Sequence, residues 1–144
     1  MKTQLHLLAV LALAVSPVWA DAKAKAGPRH GRILELEGQN AEFFVEKDRT
    51  ISIAFYDSDG KPQPAASQVF AATAEAPGAK TQMAFEKKGD LLVSTAPLPD
   101  GEGYQIVVQA RTSPDAKPKN FRIKLLTHIC GGCPNPEYAC ICDE

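Results

Sequence analysis

Four cysteines are the residues of this chain whose type and spacing most clearly point to chemistry. They are Cys130, Cys133, Cys140 and Cys142. Four sulfurs within thirteen residues can form two disulfides, a thiolate metal site or a redox-active pair. The two residues between the first pair, Gly131 and Gly132, allow a tight turn, which is typical of a metal-binding knuckle.

The disulfide option gains weight if the chain is exported, because thiols become oxidised in secretory compartments. Cys140 and Cys142 are too close in sequence to pair without strain, since residues two apart on an extended segment stand at about the limit of disulfide reach. Excluding that pair also removes its complement, Cys130–Cys133, and leaves two crossed pairings. We therefore predict two disulfides in the resting protein.

The alternatives are a site for a divalent or soft transition metal, Zn or Cu, and a Cys130–Cys133 redox pair, although no thioredoxin-like βαβ pattern accompanies it.

Two histidines are candidates for additional metal ligands. His128 stands two residues before Cys130, and His30 lies almost a hundred residues earlier. A lone histidine is a poor metal site, so an exposed loop residue is the simpler interpretation of His30. The cysteines remain the one dense set of candidate ligands.

The first 20 residues have the pattern of a cleavable secretory signal. A basic residue, Lys2, precedes an apolar run over residues 5–15, and residues 18–20 (VWA) end at a consensus-like cleavage point. We predict cleavage after Ala20 and a periplasmic location. The apolar run is too short to span a bilayer comfortably and no second run follows, so no integral membrane segment is expected after cleavage.

Cleavage after Ala20 would leave 124 of the 144 residues, enough for one ordinary domain. Lys2 is the one charged residue removed, so 15 of the 16 Lys and Arg residues remain against 17 Asp and Glu, a formal charge of −2. This balance argues against nucleic acid as a partner. Residues 21–31, DAKAKAGPRHG, are small, polar and interrupted by Gly and Pro, and are predicted to be a flexible N-terminal segment.

Beyond residue 31, short apolar runs recur between turn residues, which is the spacing of an all-β domain. Residues 51–55 (ISIAF) alternate so that Ile51, Ile53 and Phe55 share one face. We expect an all-β, immunoglobulin-like antiparallel sandwich of seven or eight strands over residues 32–128, followed by a Cys-rich tail over residues 129–144. A small barrel is the alternative topology.

The apolar faces of these strands predict the core. Its members are Ile53, Phe55, Val69, Leu92, Ile106, Val108, Phe121 and Ile123. Met83, the one methionine that follows the signal, lies in a predicted strand and is expected to fill a gap in that core. A Met-rich copper carrier is therefore excluded.

No set of residues predicts catalysis. The strand carboxylates Glu42 and Glu46 form no recognisable acid–base pair, and we assign them to a solvated face of the sheet. No nucleophile motif or phosphate-binding loop is present in the sequence either. We expect a non-enzymatic protein with no catalytic residue.

Two stretches carry a family resemblance. HGRILELEGQNAEFFVEKDRTISIAFYDSDGKPQP at residues 30–64 and GDLLVST at residues 89–95 resemble the β-rich accessory domain of periplasmic adaptor (membrane fusion) proteins from heavy-metal efflux systems of the resistance-nodulation-division class. The chain has no counterpart of the adaptor's hairpin, lipoyl and barrel domains, so the resemblance implies a free-standing periplasmic domain. It also implies metal delivery or sensing, with components of an efflux system as partners.

Two functions from different classes follow as expectations. One is a small periplasmic protein that binds or delivers a metal in heavy-metal handling or efflux. The other is an immunoglobulin-like interaction or structural module, stabilised by disulfides, that binds no metal. Thiolates that bind a metal would indicate the first function, and two disulfides would indicate the second.

Overall fold

A computed structural model of the protein describes residues 23–142. The predicted signal at residues 1–20 and its cleavage point lie outside the described residues. Within residues 23–142, no helix is long and apolar enough to cross a membrane.

The described residues form nine β-strands and one 3₁₀ turn, Glu137–Ala139. The strands β1 to β9 are Arg32–Leu36, Gln39–Val45, Ile51–Tyr56, Pro62–Gln63, Val69–Ala76, Ala79–Lys88, Leu91–Ser94, Gln105–Arg111 and Lys119–Lys124. All pairs are antiparallel. The prediction of an all-β, antiparallel fold is therefore confirmed.

The predicted two-sheet sandwich is wrong, because the strands belong to a single continuous sheet. Its order is β1-β2-β3-β7-β6-β5-β8-β9, with the short β4 paired to β3. The ten-residue strand β6 makes the connection: residues 79–84 pair with β5, and residues 85–88 pair with β7. One long strand thus joins what would otherwise be two sheets. The small barrel considered as the alternative is closer to the observed architecture.

The sheet curls until its two edge strands approach each other, so the barrel is nearly closed. Across the gap between β1 and β9, the Lys119 ammonium donates a hydrogen bond to the carbonyl oxygen of Glu35 at 2.6 Å. Edge strands left open expose unpaired backbone groups to other chains. Near-closure, with a lysine on the β9 edge, reduces that exposure.

The core lies inside the barrel, and six of the eight predicted core residues are buried there. Met83 is also buried, as expected. Phe121 is partly buried and packs against the core. Val69 was predicted wrongly: it is 43% exposed, whereas Phe70 is buried. The alternation of β5 explains this, because Ala72 and Ala74 face inward and Phe70 shares their face.

The outer face of β2 and β3 is covered rather than solvated. Residues 26–31, which we call the N-terminal clasp, lie across it and continue into β1. Glu42 points outward from β2 beneath the clasp and is fully buried, so its assignment to a solvated face was wrong. The Arg29 guanidinium of the clasp lies 4.6 Å from the Phe44 ring and donates to Ser52 and Glu46 at 2.9 and 2.7 Å.

Candidate metal centre

The first two cysteines lie at the tip of a hairpin that leaves the barrel after β9. Ile129 and Pro136 form an antiparallel bridge. Beyond it, the backbone N–H of Cys130 donates to the carbonyl of Asn135 at 2.9 Å. The chain therefore reverses over residues 130–135, and this reversal brings Cys133 back beside Cys130.

The barrel core anchors the return strand of the hairpin. Tyr138 and Ala139 in the 3₁₀ turn are buried. The Tyr138 ring meets Phe43 edge to face, with centroids 5.7 Å apart and an interplanar angle of 87°. Its hydroxyl accepts a hydrogen bond from the backbone N–H of Val45 at 3.1 Å. Cys140 follows directly in an extended conformation, so its position is tied to the barrel.

All four cysteine sulfurs converge at one point. The Sγ atoms lie within 4.8 Å of one another. Two of the separations are 3.7 Å, for Cys130–Cys142, and 3.9 Å, for Cys133–Cys140. Within residues 23–142, no other group of His, Cys, Asp or Glu side chains has a metal-binding arrangement.

These distances match a metal site better than disulfides. A tetrahedral zinc site with Zn–S bonds of about 2.3 Å has sulfurs about 3.8 Å apart. A disulfide requires about 2.05 Å. The four cysteines are free thiols here, so the two predicted disulfides are not formed. The cysteines could instead hold a soft metal such as zinc.

Gly132 lies against the cluster, whereas Gly131 does not. A Cβ atom at position 132 would lie 2.7 Å from the Cys142 sulfur, which is closer than van der Waals contact allows. A Cβ atom at position 131 would have no neighbour within 4 Å. Gly132 therefore leaves space for the Cys142 sulfur, whereas Gly131 has no such role.

The cysteine thiols differ in pKa because their surroundings differ. Backbone N–H groups of Ile141 and Asn135 stabilise the Cys133 thiolate and lower the pKa of that thiol to about 6. Hydrogen bonding to Cys130, and then to the other two thiols, raises the pKa of Cys142 to about 12. The pKa of Cys140 is also raised, chiefly by its interaction with Cys130. A thiolate at Cys133 thus disfavours further negative charge beside it, and a bound cation would remove that penalty.

The two candidate histidines are not members of the cluster. His128 is exposed, and its Nδ1 atom lies 4.0 Å from a Glu102 carboxylate oxygen. The Nδ1 atom of His30 lies 2.9 Å from Oδ1 of Asn135. The structure thus brings the four cysteines together and leaves both histidines outside them.

Sequence reasoning missed Asn135. This residue is buried, and its Nδ2 atom lies 3.5 Å from the Cys133 sulfur. Its place two residues after Cys133 was visible in the sequence, but nothing there showed that its side chain would face that sulfur. The contact of Asn135 with His30, which is 105 residues away in the chain, has no signal in the sequence.

Comparisons of the chain with protein-family models, with curated proteins and with solved structures found no match. The site is therefore interpreted from its own geometry.

Proposed function

We propose that this protein is a small, exported, non-enzymatic protein that binds one thiophilic ion such as Zn²⁺ through its four cysteines. The observation that carries the proposal is the convergence of four Sγ atoms within 4.8 Å. Tetrahedral four-sulfur sites in proteins typically hold zinc or iron, which favours zinc over the copper also considered. The space beside Gly132 supports the same conclusion, because it lets Cys142 reach the other three sulfurs.

The proposal also includes a cellular location and role. The signal pattern of residues 1–20 supports a periplasmic location. The resemblance to the accessory domain of heavy-metal efflux adaptors supports a role in metal delivery or sensing, with efflux components as partners. The cluster supports this role through its accessibility, since Cys142 is exposed and a ligand of another protein can approach it.

A second candidate function is an interaction module stabilised by disulfides that binds no metal. One observation favours it: Cys130–Cys142 and Cys133–Cys140, whose sulfurs lie 3.7 and 3.9 Å apart, form one of the two crossed pairings expected for disulfides. Oxidation could therefore close two bonds from the same arrangement. The two functions then differ in the state of the thiols in the periplasm.

Metal titration of the reduced and the oxidised full chain tests the proposal. The reduced protein should bind one Zn²⁺ per chain and lose it to a chelator. Its Cd²⁺ form should show thiolate-to-metal charge-transfer absorption. Cys133→Ser should greatly weaken binding, and His128→Ala should leave it unchanged because His128 lies outside the cluster.

The resting state is tested by thiol labelling of protein taken directly from the periplasm. Four labelled cysteines after chelation, with release of one ion, support the metal site. Absence of free thiols and a mass four hydrogen atoms below that of the reduced chain would support the interaction module instead. Failure of the reduced chain to bind Zn²⁺ would overturn the metal-binding proposal altogether.

A further inference from the structure

The N-terminal clasp is fixed on a buried carboxylate. Oε1 of Glu42 accepts hydrogen bonds from the backbone N–H groups of Arg29 and Gly31 at 2.9 and 2.8 Å. Oε2 accepts a third from the Tyr56 hydroxyl at 2.7 Å. Burial, together with the bond to Glu42, raises the pKa of Tyr56 to about 12, so its phenol keeps the proton that it donates. Two of these three contacts hold the clasp in place, and the third fixes the carboxylate against β3.

Two glycines bring the clasp close to Glu42. A Cβ atom at Gly27 would lie 2.3 Å from the Glu42 carboxyl carbon. One at Gly31 would lie 2.4 Å from the carbonyl oxygen of Phe43. Between them, His30 has a positive φ of 65°, a conformation that most residues avoid. The clasp therefore packs closely against β2, with His30 between its two glycines.

His30 reaches from the clasp to the cysteine cluster through Asn135. The Oδ1 atom of Asn135 carries no proton, so His30 must donate from Nδ1 across the 2.9 Å between them. With Oδ1 committed to His30, the Nδ2 group of the buried amide faces the Cys133 sulfur at 3.5 Å. The histidine thus determines which end of the amide the sulfur meets.

We infer that His30 and Asn135 are positioning residues of the metal site, holding an N–H donor against the Cys133 thiolate and coupling the N-terminal clasp to metal binding. The inference rests on the proposed metal-binding function and adds two residues that act on a ligand sulfur rather than on the ion. Outer-shell hydrogen bonds orient metal ligands and tune their basicity, and losing one typically costs about 10–100-fold in metal affinity. His30 acts through Asn135 and is not itself a ligand.

A matched pair of substitutions at His30 tests this assignment. In His30→Asn, the amide nitrogen stands at the same place along the side chain as Nδ1, so the donor is kept. In His30→Asp, an acceptor of the same shape replaces it, and the Asn135 amide should rotate so that Oδ1 faces the thiolate. Asn and Asp both tolerate positive φ, so neither substitution strains the clasp through its backbone.

The measurements are the Zn²⁺ affinity of the reduced full chain, by competition with a chromophoric chelator, and the thiolate charge-transfer band of its Cd²⁺ form. His30→Asn should bind Zn²⁺ as tightly as the wild type. His30→Asp should bind about 10–100-fold more weakly and should shift the band, with an unchanged unfolding midpoint of the metal-free barrel. The site with Zn²⁺ and four thiolates is itself negatively charged, so the added carboxylate also disfavours binding. The uncharged Asn135→Leu removes the same donor without adding charge, and it should weaken binding as well. Asn135→Asp should weaken binding in the same way.

The possible failures are distinguishable. A wild-type chain that binds no Zn²⁺ would overturn the proposed function and this inference with it. A wild-type chain that binds, with His30→Asp equal to it in affinity and in spectrum, would overturn the positioning role alone.

Discussion

The barrel and the cysteine segment, residues 129–142, are stabilised by different means. The barrel has a continuous apolar core to which most strands contribute, and Tyr138 and Ala139 of the cysteine segment pack into it. The cysteine segment buries three side chains, those of Asn135, Tyr138 and Ala139, and leaves Ile129 and Ile141 exposed. Its remaining order depends on a few backbone hydrogen bonds and on the converging thiols.

The barrel can be held together by hydrophobic burial, whereas the cysteine segment requires a cross-link. Burial of apolar surface stabilises the barrel in any redox state. A segment of fourteen residues has too little core to hold its own shape, and small units of this kind usually depend on a metal or on disulfides. Metal binding should therefore order the segment without being needed for the barrel.

The largest expected effect is at the centre of the barrel. Val108→Asp should unfold the protein, because Val108 is fully buried and an unpaired carboxylate there costs more than about 4 kcal/mol. Loss of the β-sheet circular dichroism signal is the measurement. Val107→Asp is the matched control, since Val107 is only partly buried on the opposite face of β8. If both variants fold equally well, the barrel core is not where the structure puts it.

Much of the barrel could be predicted from the sequence, because alternation of apolar side chains determines which residues of a strand share a face. That pattern identified Ile53, Phe55 and Val108. It could not reveal that β6 runs unbroken for ten residues, forming a hairpin with β5 along its first half and with β7 along its second, because alternation shows which residues share a face and not where one sheet ends and another begins. This missing information is the reason that a sandwich was predicted.

The next largest effect is at Tyr138, where the two regions meet. Tyr138→Ala should destabilise the barrel by about 3–5 kcal/mol, the cost of truncating a large buried aromatic side chain. Tyr138→Phe keeps the ring against Phe43 but leaves the Val45 N–H without its acceptor, and should cost about 1–3 kcal/mol. Urea unfolding in the presence of a chelator measures both. Equal stability of Tyr138→Ala and wild type would mean that the segment does not dock on the barrel.

Oxidation gives the third prediction. In metal-free protein treated with a disulfide oxidant, Cys130–Cys142 and Cys133–Cys140 should form, because these sulfurs already contact each other at 3.7 and 3.9 Å. Each bond should restrict the unfolded segment by about 2–3 kcal/mol in the chain-entropy model. Peptide mapping under non-reducing conditions identifies the pairs. The other crossed pairing, Cys130–Cys140 with Cys133–Cys142, would contradict the observed arrangement.

Only part of the cysteine site could be predicted from the sequence. The spacing of the four cysteines showed that they could converge on one ion, but the choice between metal and disulfide rested on the compartment and was made for disulfides. The burial of Glu42 and the contact from His30 to Asn135 could not be foreseen, because the clasp and the segment are brought together only by the folded barrel. Those contacts carry no local sequence pattern.

The smallest expected effect is at Gly132, and it concerns the cysteine segment alone. Gly132→Ala would place a methyl group 2.7 Å from the Cys142 sulfur. Rotation of the Cys142 side chain relieves this contact but removes its sulfur from the cluster. Zn²⁺ affinity should fall at least about tenfold, or about 1.4 kcal/mol, while the barrel unfolds at the same urea concentration.

Gly131→Ala is the matched control for this change. It alters the same turn and reduces the freedom of the unfolded chain to the same extent, but its methyl group meets no atom within 4 Å. The difference in Zn²⁺ affinity between the two variants therefore measures the contact with Cys142. Equal affinities would show that the fourth sulfur is not held where the structure puts it. A barrel destabilised by Gly132→Ala would show instead that the two regions do not fold independently.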